Sequence, residues 1–255
     1  LKCAEHGYRM IFELVDTHND HVERELGAAI AALQPDGVIL TPPHSENPLI
    51  TGFLAKRKIP FARIGSITSG PGIAMTMDDE GSARRATEHL IALGHSRIGF
   101  IAGPKEYDLS NWRIDGWREA MTTASFSCDA LCVRGDFGYD SGVLAANALL
   151  DLKDPPTAII GSNDQMTLAA LDAAKARGLN IPGDLSLISF DNTPVVRFTV
   201  PELTAVDQPI AATFSKAVDL LITNGDAPVP HQPVVIEGSL IERSSTAPPS
   251  AHGRA

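Results

Sequence analysis

Hydrophobic and polar positions alternate in blocks along this chain. Short apolar runs rich in β-branched residues occupy positions 8–15, 36–41, 60–65, 97–103, 130–135, 157–162, 185–190 and 233–243. Longer segments in which Ala, Leu, Glu and Arg recur with a helical period lie at 21–33, 79–94, 142–152, 165–178 and 210–225. This alternation of strand and helix patterns predicts an α/β fold, in which parallel sheets are covered by helices on both faces.

Polar side chains stand directly after two of the predicted strands. Asn163 follows the run at 157–162, and Asp191 follows the run at 185–190. Ligands of open parallel sheets collect outside the carboxyl ends of the strands, so these residues are candidates for a binding edge. A structural interpretation stays open for each one, because Asn is a good helix N-cap and Asp a good turn former.

The segment 189–209 breaks the rhythm, since it carries prolines and little helical pattern. It predicts a stretch that crosses from one domain to another. Residues 247–255 are rich in Ser, Pro, Gly and Ala, a composition typical of a disordered tail.

Composition narrows the class of protein. A chain of 255 residues with a net charge of -10 can form one large or two modest domains, and it offers no basic face for a nucleic acid. The cysteines, Cys3, Cys128 and Cys132, fit no zinc spacing and no even disulfide framework, so we expect buried free thiols. No apolar run could span a bilayer and the first residues do not form a signal peptide, so we expect a cytoplasmic protein.

Catalytic and cofactor patterns are absent from the sequence. It contains no nucleophile elbow, no phosphate loop and no glycine-rich dinucleotide fingerprint. The acidic trio Asp78, Asp79 and Glu80 precedes a helical segment, where the helix dipole favours negative charge, and is interpreted as capping. We therefore expect a binding protein without cofactor or metal rather than an enzyme.

At residues 86–104 the sequence ATEHLIALGHSRIGFIAGP resembles the effector-binding domain of the LacI/GalR family of transcription regulators. Other segments match the family in order and spacing, namely PDGVILTPP, IPFARIG, SNWRIDGWREAM, AIIGSNDQMTLAALDAAKARGLNIPGDLSLISFDN and PELTAVDQP. The resemblance covers nearly the whole chain.

The resemblance implies a periplasmic-binding-protein-like fold of class I, in which two Rossmann-like lobes hold a small effector, expected to be a sugar, between them. The implied lobes are 1–77 plus 208–236 and 78–207 plus 237–246, followed by the tail at 247–255. Three crossing segments are implied, near 77–79, 205–209 and 235–239. Family members also carry a helix-turn-helix and a first strand that these residues lack, so we expect a longer repressor that binds operator DNA through that headpiece.

Effector contacts are carried over from the family residue by residue. Arg113 corresponds to an arginine that binds ligand hydroxyls, and Asn163 to an amide that donates and accepts. Asp191 corresponds to a carboxylate able to hold two hydroxyls, and Phe137 to an aromatic ring against the face of the sugar. All four belong to the C-terminal lobe.

The remaining implied contacts, Thr41 and Gln208, would come from strand ends of the N-terminal lobe. Family members pair into homodimers, and one helix presents three apolar side chains that could form the interface, Met166, Leu168 and Leu171. The alternative is that all three belong to the core.

A second function class shares this fold, the periplasmic sugar-binding protein of a transporter. The patterns at 91–104 and 184–192 and the lack of an export signal favour the regulator. An upstream helix-turn-helix would select the regulator, and an upstream signal peptide would select the transporter component.

Overall fold

A computed structural model describes residues 2–15, 21–224 and 232–250. The chain folds into two compact units. Unit 1 consists of residues 1–77 and 209–236, and unit 2 consists of residues 78–208 and 237–255. The chain therefore passes three times from one unit to the other.

The α-helices found in the described residues are α1 (Lys2–Glu5), α2 (Val22–Leu33), α3 (Pro48–Lys56), α4 (Asp79–Ala92), α5 (Asp108–Thr123), α6 (Tyr139–Leu150), α7 (Asp164–Ala176) and α8 (Ile210–Asn224). The strands are β1 (Val38–Leu40), β2 (Phe61–Ile64), β3 (Ile73–Met77), β4 (Ile98–Ala102), β5 (Cys132–Arg134), β6 (Ala158–Gly161), β7 (Ser186–Asp191), β8 (Thr204–Asp207), β9 (Val234–Ile236) and β10 (Ser239–Ile241).

Unit 1 is built on a parallel sheet with the order β1-β2-β3-β9. The prediction of a strand at 8–15 is wrong. This segment pairs with no described strand and exposes four apolar side chains, Met10, Ile11, Phe12 and Leu14. An apolar run becomes a strand only where a neighbour completes the hydrogen-bonded ladder. Within the described residues, the sheet ends at β1.

Unit 2 is built on a sheet with the order β10-β8-β7-β6-β4-β5, in which only β10 runs antiparallel to its neighbour. The central strands β4, β6 and β7 are almost entirely buried, as their unbroken apolar runs predict. The run at 233–243 was expected to form one strand, but it splits into β9 in unit 1 and β10 in unit 2. A strand cannot continue across a passage between two separate sheets.

Helices α4 and α5 pack closely because α5 carries Gly116 at their contact. A Cβ atom built on Gly116 would lie 2.0 Å from the carbonyl oxygen of Glu80. Only glycine tolerates this approach without displacing backbone. The contact brings the start of α4 against the face of α5 that also bears Arg113, one helical turn earlier.

The tail expected to be disordered from residue 247 is ordered at its start. The backbone N–H of Ala247 donates to Ser186 Oγ at 3.1 Å, and its carbonyl accepts from His95 Nε2 at 2.9 Å. Burial lowers the pKa of His95, and its Nδ1 lies 2.8 Å from Thr157 Oγ1. A neutral ring that donates from Nε2 and accepts at Nδ1 satisfies both contacts. Residues 251–255 lie outside the described part.

The cysteines are free thiols, but they are half-buried rather than buried. Burial raises the pKa of Cys128 and Cys132, which keeps both thiols protonated at neutral pH. Among the described residues, no helix combines the length and the apolar character that a membrane crossing requires.

Candidate functional site

The carboxyl edge of the unit 2 sheet gathers four of the residues expected to bind an effector. Asp191 ends β7, Asn163 follows β6, and Phe137 follows β5. Arg113 lies on α5, the helix after β4. Because β7, β6, β4 and β5 are consecutive parallel neighbours, their carboxyl ends line one edge of the sheet.

Arg113 is buried and held on three sides. Its Nε donates to Asp79 Oδ1 at 2.7 Å, and its Nη1 donates to the carbonyl oxygen of Ser162 at 2.5 Å. The guanidinium carbon lies 4.4 Å from the ring centre of Phe190. The remaining nitrogen, Nη2, is buried without a hydrogen-bond partner in the described structure. Buried donors rarely stay unpaired, so this nitrogen is available to a ligand.

Asp79 is a further candidate at this site, and the sequence reasoning missed it because it was interpreted as part of a capping trio. Its neighbour Asp78 performs the capping, because Asp78 Oδ1 accepts from the backbone N–H of Gly81 at 2.9 Å. Asp79 is instead buried against Arg113. Burial raises the pKa of Asp79, while the neighbouring guanidinium of Arg113 opposes the shift. In the sequence, the signal that could have suggested this pairing is Gly116, which permits the close packing of α4 and α5.

Asp191 stands on unusual backbone. Its φ is +91°, and that of the following Asn192 is +56°. Left-handed backbone is uncommon for residues other than glycine, although Asp and Asn adopt it more readily than most, and strained backbone concentrates at functional sites. The turn directs the Asp191 carboxylate to Gln208, whose Nε2 donates to Asp191 Oδ1 at 3.0 Å.

Electrostatics distinguish Asp191 from an ordinary surface carboxylate. Its pKa is raised to about 6, first of all by burial. Arg113 opposes this shift, whereas Asp164 and Asp79 add to it. Near Asp191, one guanidinium thus faces more than one carboxylate.

Gln208 was expected to contact the effector from the N-terminal lobe, and its assignment to that lobe is wrong. It belongs to unit 2, where its side chain bonds Asp191 and its backbone N–H lies 3.4 Å from the Asp191 carbonyl oxygen. The reason is the register of β8, which places Asp207 opposite Asp191 and so carries Gln208 just past it. Thr41 lies in unit 1, exposed directly after β1, and its carbonyl accepts from the backbone N–H of Ser45 at 3.0 Å.

Both the oxygen and the nitrogen of the Asn163 side-chain amide make hydrogen bonds within the protein. Its Oδ1 caps α7 by accepting from the backbone N–H of Met166 at 2.9 Å. Its Nδ2 donates to the carbonyl oxygen of Phe137 at 2.8 Å. The structural interpretation of Asn163 therefore holds, although one amide hydrogen and one lone pair remain for a ligand.

Phe137 lies at the same edge, with its backbone at a φ of +69°. Its ring meets that of Tyr107, another residue missed from sequence, at a centroid distance of 5.8 Å and an angle of 71°. This edge-to-face arrangement is a favourable geometry for aromatic pairs. The pair forms an apolar border to the polar cluster.

The helix α7 does not present the apolar interface that was expected. Met166 is 0% and Leu171 3% exposed, and Leu168 is half-buried against the core of unit 2. The reason is that α6 covers α7, with Gly142 so close that an added Cβ would lie 2.7 Å from Met166 Cα. Met166 and Leu171 are therefore core residues.

Comparison with known proteins places this architecture in a family. Residues 87–246 match the periplasmic binding protein-like domain. The transcriptional regulator CelR of Thermobifida fusca is 32% identical over 249 residues, which cover 95% of this chain and 72% of CelR. A regulatory protein of the LacI family from Chloroflexus aggregans shares 31% identity and a TM-score of 0.85, over 96% of this chain and 88% of that one. This chain belongs to the LacI family of transcriptional regulators.

Membership in the LacI family confirms the resemblance and the fold inferred from sequence. The repressor CytR of Escherichia coli K12 is 34% identical over 224 residues, 86% of this chain but 64% of CytR. The solved complex of CelR with cellobiose has a TM-score of 0.80 at 31% identity, over 95% of this chain and 75% of that one. This chain thus corresponds to the ligand-sensing domain of LacI-family regulators rather than to a transporter component.

Proposed function

We propose that this chain senses a small neutral saccharide at the carboxyl edge of the unit 2 sheet, and so controls DNA binding by a helix-turn-helix domain outside these residues. The observation that carries the proposal is the buried, unpartnered Nη2 of Arg113 beside the Asp191 carboxylate. A donor and an acceptor that lie near each other without bonding to each other suit the hydroxyls of a sugar. The complex of the relative CelR with cellobiose supports the same class of ligand.

The charge of the site argues for a neutral ligand. Around Arg113 the carboxylates of Asp79, Asp164 and Asp191 outnumber its guanidinium. Another cation of this edge, Arg134, is engaged with the Gly103 carbonyl oxygen and with Asn111. A phosphate or carboxylate on the ligand would meet like charges in a partly desolvated setting, which costs binding energy. A saccharide avoids this repulsion and uses the carboxylates as acceptors.

Calorimetric titration of wild type and Asp191→Asn with a saccharide panel that includes cellobiose tests the assignment. Charge-assisted bonds are stronger than neutral ones, so Asp191→Asn should weaken binding of the panel member that binds by at least about tenfold. Asp172→Asn is the matched control, because Asp172 is an exposed carboxylate bonded only to Tyr139 in the described structure. Equal affinity of wild type and Asp191→Asn would remove Asp191 from the site.

Self-association is part of the proposed function, through a surface other than α7. The outer strip, defined as Val195, Phe198 and Val200, exposes 41%, 82% and 79% of these side chains. Clustered apolar exposure marks association surfaces, and a second copy of this chain is the occupant that LacI-family membership supports. Sedimentation equilibrium should show a dimer for wild type and for Leu144→Asp, but a species of 27.1 kDa for Phe198→Asp. A dimeric Phe198→Asp protein would exclude the outer strip as the interface.

The proposal also gives this chain no catalytic role and places it in the cytoplasm, together with operator DNA. The names of its relatives support both statements, since CelR and CytR are transcriptional regulators. With a net charge of -10, these residues alone should show no specific affinity for DNA at physiological salt. A sequence-dependent mobility shift by the isolated chain would contradict that assignment.

A further inference from the structure

Three residues at the start of α5 form a row that begins at Arg113 and leads away from it. Tyr107, Ser110 and Arg113 are spaced by three positions, so each one is the neighbour of the next on the helix surface. Tyr107 occupies the N-cap position of α5, and its side chain makes no capping hydrogen bond. Ser, Thr, Asn or Asp at this position would stabilise the helix by about 1 kcal/mol, so a tyrosine here does not serve the helix.

The middle of the row carries polar atoms without partners. Ser110 Oγ and Ser162 Oγ are buried and, like Arg113 Nη2, have no hydrogen-bond partner in the part of the chain that the structure describes. Ser162 adjoins Arg113 directly, because its carbonyl oxygen accepts from Arg113 Nη1. Buried polar atoms normally find partners, so three such atoms on adjoining residues point to a polar ligand.

The far end of the row is aromatic. The Phe137 ring and Ser110 Oγ both rest on Gly103, where an added Cβ would lie 2.3 Å from the ring and 2.6 Å from the hydroxyl oxygen. Tyr107 stands edge-on to Phe137 and keeps 42% of its surface exposed. An exposed ring beside buried, unpaired hydroxyls offers an apolar face and hydrogen bonds together, the combination that sugar rings require.

The length of the row decides the size of the ligand. Six positions of α-helix correspond to a rise of about 9 Å from Tyr107 to Arg113. A single sugar ring bound at Arg113 and Asp191 would leave Tyr107 uncovered, whereas two linked rings reach it. We infer that the effector is a disaccharide, with one ring at Arg113 and Asp191 and the second against Tyr107 and Phe137. Tyr107 is then the residue that selects two rings over one, an inference that rests on the proposed saccharide function.

The test measures the affinities of cellobiose, maltose, lactose, glucose and galactose for the full chain by calorimetry. Wild type should bind one of the disaccharides at least about tenfold more tightly than either monosaccharide. Tyr107→Ala should lose about tenfold for that disaccharide while the monosaccharide affinities stay within about twofold. Tyr107→Phe should keep the wild-type ratio, because it preserves the ring. Tyr139→Ala is the control, since Tyr139 is 41% exposed and bonds Asp172 away from the row.

The outcomes separate the two proposals. If wild type binds a monosaccharide as tightly as any disaccharide, or if Tyr107→Ala weakens both classes equally, the disaccharide inference is overturned and the saccharide function stands. If wild type binds none of the five sugars, both proposals are overturned. Circular dichroism of each variant establishes that a lost affinity is not a lost fold.

Discussion

Replacing Asp79 with leucine tests whether the buried pair with Arg113 behaves as one unit. Their side chains are 7% and 2% exposed, and their charged atoms lie 2.7 Å apart. Removing one partner of a buried, hydrogen-bonded pair leaves the other charge without that partner, which costs about 3 to 5 kcal/mol of folding free energy. Asp79→Leu should therefore destabilise unit 2 by that amount.

The double variant Asp79→Leu with Arg113→Met distinguishes the loss of the whole pair from the loss of one partner. It removes both charges and leaves apolar groups, so it should be more stable than Asp79→Leu alone. The exposed pair of Asp115 and Arg118 on the same helix is the matched control. Its atoms lie 3.1 Å apart, but its side chains are 54% and 55% exposed, so Asp115→Ala should cost no more than about 1 kcal/mol.

Urea unfolding followed by tryptophan fluorescence measures these differences in unit 2 itself. Both tryptophans of the chain, Trp112 and Trp117, lie on α5. Trp117 is fully buried, and its indole N–H donates to the carbonyl oxygen of Ile98 at 3.1 Å, so its emission reports the core of this unit. The single variant Arg113→Met completes the comparison. The reasoning is refuted if the stability lost by the double variant equals the sum of the losses of Asp79→Leu and Arg113→Met within about 0.5 kcal/mol.

Three further changes should have measurable effects. Because burial raises the pKa of Asp191 to about 6 in the folded state, the fold binds this proton more tightly than the unfolded chain does, and the stability that Asp191 contributes falls as pH rises from about 4 to about 6. The free energy of unfolding of Asp191→Asn, measured by urea titration relative to wild type, should thus increase by up to about 3 kcal/mol between pH 4 and pH 7. A difference between variant and wild type that does not change with pH would contradict the shift. Asn163→Ala should lower the free energy of unfolding by about 1 to 2 kcal/mol, because it removes the α7 cap and the bond to Phe137. Asn163→Asp should keep the cap, so equal losses of the two variants in thermal unfolding would argue against capping. Gly116→Ala should lower the free energy of unfolding in urea by at least about 1 kcal/mol, because the added methyl meets the Glu80 carbonyl oxygen. A neutral result would mean that α4 and α5 can separate freely.

The sequence predicted best those parts of the fold in which one local pattern meets one environment. Strands β4, β6 and β7 are buried on both faces, so their apolar runs are unbroken and easy to recognise. Strand β3 and helix α3 were missed, because a five-residue strand after a glycine-rich loop and a nine-residue helix begun by a proline have weak periodicity. The run at 8–15 has a strand pattern, but pairing depends on a neighbour that no local pattern encodes.

The candidate site divides in the same way. Arg113, Asn163, Phe137 and Asp191 could be predicted to lie at one sheet edge because they follow strands or match a family pattern. Asp79 was missed because its role depends on how closely two helices approach. The expectation that Met166 and Leu171 form an interface failed for a related reason. The apolar positions of a helix do not show whether the sheet alone or the sheet and a second helix will cover them.

The discontinuity of unit 1 has a consequence for folding during synthesis. Strand β9 pairs Val234 with Met75, so the sheet of unit 1 gains its last strand only after residues 78–208, most of unit 2, have left the ribosome. Helix α8, which covers the same sheet, is made equally late. During that interval the apolar face of β2 and β3 has no cover from α8, and its exposure lasts for as long as translation of unit 2 takes. Slowing translation within residues 78–208 would therefore lengthen the period in which unit 1 can aggregate or bind a chaperone, while unit 2 is still forming its own core.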